Sequence, residues 1–92
     1  MKIKSKLRVE AMELLFRGRK FYRELSYKKG GKLMKGSDVE EVQKSLNKKG
    51  YKCKIDSIYG VETQEAIKKF QYNNCIKVDG IVGKITWKTL FN

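Results

Sequence analysis

Apolar residues recur at helical spacing in three places along the second two thirds of the chain. Val39, Val42 and Leu46 form one stripe, Ala66, Ile67 and Phe70 a second, and Trp87 and Leu90 a shorter third. No strong alternation over residues 33–92 predicts a strand. Ser37, with Glu40 three residues on, reads as a capping box that opens the first helix. Asp38 suits the positive end of that helix. Gly50 closes it, because glycine enters a left-handed cap without strain. A further stripe, Ile3, Leu7, Ala11, Leu14 and Leu15, predicts a basic helix over residues 3–17. Gly18 interrupts it, and Lys28-Lys29-Gly30-Gly31-Lys32 reads as a flexible charged connector. The expected organisation is a basic helical extension and connector over residues 1–32, then an all-α, three-helix module over residues 33–92. Arg23-Glu24-Leu25 can pair with that module as an extended segment.

An internal repeat with an offset of 23 residues organises the module. One copy runs from Ile55-Asp56-Ser57-Ile58-Tyr59-Gly60 to Thr63, Ala66 and Ile67. The other runs from Val78-Asp79-Gly80-Ile81-Val82-Gly83 to Thr86, Thr89 and Leu90. Each aspartate can accept backbone N–H bonds and hold a tight turn. The shared glycines, Gly60 and Gly83, are expected to reverse the chain with positive φ. The isoleucines, Ile58 and Ile81, are expected to plug the core. Thr63 and Thr86 fall at helix starts, where a hydroxyl can cap. Two similar structured loops therefore join the three helices.

Composition narrows the function. Ninety-two residues make one small domain with a modest core. The chain has no proline, so tight turns fall to glycine, asparagine and aspartate. Its formal net charge of +12 implies an anionic partner. Residues 1–32 hold eleven Lys/Arg against Glu10, Glu13 and Glu24, and residues 33–92 hold eleven lysines against seven acids. The longest early apolar run, Leu14-Leu15-Phe16, is far short of the roughly 20 residues of a membrane span. Glu10, Glu13 and Arg17 break any signal-peptide core, so synthesis in the cytoplasm without a signal peptide is expected. Cys53 and Cys75 read as small buried or half-buried hydrophobes, with a disulfide as the alternative.

At this point the residues point to a family. Leu33-Met34-Lys35-Gly36-Ser37-Asp38-Val39, Val42-Gln43-Lys44-Ser45-Leu46 and Gly50-Tyr51 open the pattern. Ile55-Asp56, Gly60, Thr63 and Ala66-Ile67-Lys68-Lys69-Phe70-Gln71 continue it, and Val78-Asp79-Gly80-Ile81-Val82-Gly83 with Thr86-Trp87 close it. In order and spacing this resembles the three-helix peptidoglycan-binding domain found beside wall hydrolases such as endolysins, autolysins and spore-cortex hydrolases of Firmicutes and their phages. Three positions depart from the family pattern: Ser57 stands where glycine is usual, Cys75 where glycine is frequent, and Tyr59 where phenylalanine is common. At the second departure Asn74 is expected to take the left-handed cap. The resemblance implies a non-catalytic module that carries a cell-wall hydrolase to its substrate and acts at the wall.

The residue types agree. A wall amidase needs a metal, usually held by histidines, and there are none. A cysteine peptidase needs a base beside its thiol. Asp56 and Asp79 could pass for a glycosidase pair, but their turn role explains both. No cofactor is expected. Binding needs less: aromatics stack on sugar faces, amides and phenols hydrogen-bond hydroxyls, and lysines attract carboxylates. The candidates are Tyr51, Tyr59, Gln43, Gln64, Gln71, Tyr72 and Trp87. Tyr59, in a loop, is expected to be exposed. Gln43 and Gln71 equally suit tying loops together, and Trp87 equally suits core packing. The expected partners are peptidoglycan (glycan strand or stem peptide), a hydrolase, and a second copy through residues 1–25. Nucleic acid is not expected. The runner-up reading is a cationic protein that meets an anionic membrane, wall polymer or nucleic acid through residues 1–32.

Overall fold

The computed structural model describes residues 20–91. The helix expected over residues 3–17, and most of the oligomerisation surface expected over residues 1–25, lie outside the described residues. Five short elements follow one another: β1 (Met34–Lys35), α1 (Ser37–Lys48), β2 (Ile58–Tyr59), α2 (Val61–Asn73) and α3 (Lys84–Leu90). The three helices stand where the apolar stripes predict them. Val39, Val42 and Leu46 from α1, Ala66, Ile67 and Phe70 from α2, and Trp87 and Leu90 from α3 meet in one core with Leu25, Cys53, Tyr59 and Val82. Burying each large apolar side chain contributes roughly 1.5–3 kcal/mol. β1 and β2 form a two-stranded antiparallel pair, with Met34 opposite Tyr59 and Lys35 opposite Ile58. At two residues each, these strands are too short to show alternation in the sequence.

The helix ends correct two expectations. Gly36 occupies the N-cap of α1, and no side chain caps it. The capping box of Ser37 and Glu40 does not form because Ser37 already lies in the first helical turn. The amide of Glu40 donates to the carbonyl of Gly36 at 3.2 Å, and the Glu40 carboxylate pairs with Lys44 one turn on at 3.5 Å. At the other end Gly50 has φ +94°. The amides of Gly50 and Tyr51 donate to the carbonyls of Asn47 and Leu46, at 3.0 and 2.8 Å, which is a Schellman cap. Helix α2 ends the same way, with Cys75 and Ile76 donating to Tyr72 and Gln71 at 3.3 and 2.9 Å. Here the left-handed residue is Cys75, at φ +57°, and Asn74 keeps φ −107°. The cap therefore turns the Cys75 side chain out to solvent, whereas Cys53 is buried. Burial, with Glu62 nearby, pushes the Cys53 thiol above its ordinary range.

The chain upstream of β1 packs against the same core. Leu25 pairs with Val82 in an antiparallel bridge, with N–H to O distances of 3.2 and 2.8 Å in the two directions. Leu25 is fully buried. The ring of Phe21 meets Trp87 edge-on at 6.1 Å. Arg23 donates through Nε and Nη2 to the two carboxylate oxygens of Asp38, at 2.9 and 3.2 Å, and through Nη2 to the Lys35 carbonyl at 2.6 Å. Such a fork-to-fork pair is stronger and more directional than a single ion contact. It holds the Asp38 carboxyl below the usual carboxylate range. The expected pairing of Arg23-Glu24-Leu25 with the module thus takes place through Leu25 and Arg23.

Candidate functional site

Each loop is closed around one buried glutamine. Gln43 Oε1 accepts from the amides of Asp56 and Ser57 at 3.0 and 2.9 Å. Its Nε2 donates at 3.0 Å to Asp56 Oδ1, the Ile58 carbonyl and Thr63 Oγ1. Gln71 does the same for the second loop. Its Oε1 accepts from Asp79 and Gly80 at 3.1 and 2.9 Å, and its Nε2 donates to Asp79 Oδ1, the Ile81 carbonyl and Thr86 Oγ1 at 3.0, 3.0 and 3.1 Å. A carboxamide suits this role because it carries an acceptor and two donors in one plane. Each aspartate also accepts from the amide two residues on, Ile58 or Ile81, at 3.0 and 2.9 Å. Those bonds, the Ile58 amide first and Gln43 second, lower the Asp56 carboxyl below its ordinary value. Among the described residues no buried side-chain nitrogen or oxygen lacks a partner.

This arrangement reassigns several expected roles. The threonine hydroxyls face the glutamines and do not cap α2 or α3, whose N-caps are Gly60 and Gly83. Those glycines have φ of −107° and −91°. The positive-φ position is the residue after each aspartate, Ser57 at +65° and Gly80 at +71°. The residues that plug the core are Tyr59 and Val82, both fully buried, while Ile58 and Ile81 are half-buried. Tyr59, expected to be exposed, points inward because β2 places it on the core face. Its hydroxyl donates to the Gly80 carbonyl at 2.7 Å, which ties one loop to the other. Burial keeps that phenol protonated well above its ordinary range.

The candidate list is thereby sorted. Gln43, Gln71 and Tyr59 are fully buried and build the scaffold, while Trp87, 5 % exposed, packs in the core and reaches the floor of a second depression beside Arg23 and Asp38. Gln64 is half-buried beside the second loop. Tyr51 and Tyr72 come together at an open groove. Two adjoining depressions share Gly50, Tyr51, Glu65 and Lys69. Lys68, Tyr72 and Asn73 extend one end, and Lys52, Glu62 and Ala66 extend the other. Tyr51 is half-buried, with its ring edge-on to Phe70 at 5.5 Å. Its hydroxyl accepts from Asn73 Nδ2 at 2.9 Å, which leaves the phenol proton for an outside acceptor. Tyr72 is 76 % exposed. Sequence reasoning missed Glu65 and Asn73. Their signal was the polar stripe Glu62, Glu65, Lys69 and Asn73, which recurs at helical spacing on the face of α2 away from the core.

Three short helices, two clasped loops and an open polar groove over α2 make a small helical module. The chain belongs to the family described as "Putative peptidoglycan binding domain", which matches residues 35–90. The spore cortex-lytic enzyme of Oceanobacillus iheyensis is 40 % identical over 52 residues, which are 55 % of this chain and 19 % of that enzyme. Among solved structures, the endolysin of Burkholderia phage AP3 superposes with a TM-score of 0.66 at 36 % identity, covering 75 % of this chain and 25 % of the endolysin. The SleB N-terminal domain superposes with a TM-score of 0.65 at 30 % identity, covering 74 % of this chain and 88 % of that domain. The chain thus spans about a fifth of that spore cortex-lytic enzyme.

Proposed function

We propose that the chain binds bacterial peptidoglycan without cleaving it and holds an associated cell-wall hydrolase at the wall. The family match over residues 35–90 carries this reading. The groove over α2 is the binding surface, with Tyr51, Tyr72, Asn73, Glu65, Lys68 and Lys69 as its contacts and Gln64 at its margin. The clasps serve the groove by fixing the ends of α2: Gln43 and Thr63 at its start, Gln71 at its finish. A preorganised surface loses less entropy on binding. A shallow open groove still gives weak single-site binding, so retention rests on the many repeats of the polymer.

The test is co-sedimentation with insoluble peptidoglycan stripped of teichoic acid, at low and high salt, with turbidity followed in parallel. Protein should pellet at both salts while turbidity stays constant, and Tyr72→Ala should pellet less at unchanged fold stability. Release of the protein by modest salt would leave charge as the only attraction and sink the proposal.

A further inference from the structure

The groove carries charge of both signs. Glu62 and Glu65 lie near the α2 start, with Lys52 beside Glu62 and Glu62 accepting from the Lys54 amide at 3.3 Å. Lys68, Lys69 and Asn73 lie towards its end. One contact bridges the two sets: Lys68 and Glu65 approach to 3.8 Å, an exposed pair that an incoming ion can displace at little cost. From Glu65 to Lys69 is four residues of helix, or roughly 6 Å along the axis at 1.5 Å per residue. At the middle stands the Tyr51 phenol, its proton free for a carbonyl or carboxylate oxygen.

Glycan strands are a poor match to this pattern. Sugar stacking would fall to the half-buried Tyr51 and the exposed Tyr72. N-acetylated amino sugars carry no charge of their own, so the five charged side chains of the groove would find nothing there to neutralise. The stem peptide carries what the groove lacks. An uncross-linked stem ending in a diamino acid has a free side-chain amine and a free carboxylate a few ångströms apart. Resting on the peptidoglycan-binding reading above, we infer that the groove recognises this zwitterionic stem end, with the amine towards Glu62 and Glu65 and the carboxylate towards Lys68 and Lys69. The module then reports where the wall is not cross-linked, because cross-linking converts the amine to an amide and removes its charge.

The experiment uses the full chain and three probes: a synthetic stem tripeptide ending in a diamino acid, the same peptide acetylated on the side-chain amine, and chitotetraose. Binding is followed by calorimetry and by release from peptidoglycan pellets. The tripeptide should bind and release the protein, and acetylation should weaken it about two- to fivefold, the scale of one exposed charge pair. Glu65→Gln should weaken the free tripeptide by a similar factor and leave the acetylated one unchanged, a coupling that loss of fold would not produce. Circular dichroism of the Glu65→Gln variant should match the parent. Retention on peptidoglycan that chitotetraose releases and the tripeptide does not would overturn the assignment and leave the binding reading standing. Absence of retention would remove both.

Discussion

The two loops carry the same hydrogen bonds on different backbones. Gln43 precedes its aspartate by 13 residues and Gln71 by eight, yet both glutamines hold the same three backbone groups, carboxylate and hydroxyl. The residue at positive φ differs: Ser57 in the first loop, Gly80 in the second. The surroundings say why. A Cβ on Gly80 would meet Gln64 Cγ at 2.9 Å and Lys68 Cε at 3.1 Å, so a side chain there must push aside two flexible neighbours as well as adopt positive φ. Ser57 is half-buried, and its carbonyl accepts from the Gly36 amide at 3.1 Å. The first loop therefore carries a conformational cost that its polar clasp is strong enough to hold. What defines these loops is the glutamine's hydrogen-bond set; the glycine lowers the cost of entering it.

Removing a clasp should have the largest effect. Gln43→Leu and Gln71→Leu each leave two amides, a carbonyl and a buried threonine hydroxyl without their partner. At about 1–3 kcal/mol per stranded group, partly relieved by water, each should cost at least about 3 kcal/mol in urea unfolding. Equal losses would support the equivalence, whereas a loss under about 1 kcal/mol in one variant would break it. Next comes Leu25→Ala, which empties the position that bridges the second loop. A cost of about 2–4 kcal/mol is expected, although Leu25 lies outside the stretch matched by the family. A near-neutral result would show that the upstream segment is not part of the folding unit.

Exchanging the positive-φ residues sharpens the comparison further. Ser57→Gly should raise stability by up to about 1 kcal/mol, and Gly80→Ser should lower it by more than that, because space is lost as well. Equal and opposite shifts would mean that φ alone matters. The smallest effect is on acid stability. Asp56 and Asp38 have folded-state pKa values below their unfolded ones. Their contribution is complete above about pH 4 and is lost as pH falls through the folded values, since the unfolded chain takes up the protons first. Asp56→Asn should shallow that acid slope in thermal melts between about pH 2 and pH 5, with Asp38 supplying what remains.

Much of the fold could be read from side-chain type and spacing. The three stripes, the Gly50 stop and the aspartate turns depend on residues a few positions apart, and local physics decides them. The rest depended on distant partners. Tyr59 looked like a loop tyrosine because its acceptor, the Gly80 carbonyl, lies 21 residues away. The capping box failed where Gly36 became the N-cap, and Asp38 was claimed by Arg23 from 15 residues upstream. The glutamines escaped the 23-residue repeat because their own separation is 28. The groove was half legible. Tyr51 and Tyr72 were candidates from chemistry, but Glu65 and Asn73 became visible only once α2 placed them on one face with Gly50 and Tyr51.

The clasps also set where the molecule is stiff. Loops usually exchange their amide hydrogens with solvent long before helices do. Here the amides of Asp56, Ser57, Asp79 and Gly80 end on fully buried carboxamides. In a deuterium-exchange experiment these four irregular positions should keep pace with the middle turns of the helices. The slow-exchanging skeleton of the protein then runs through its connections, and the softer surface is the outer face of α2, where a ligand is to land.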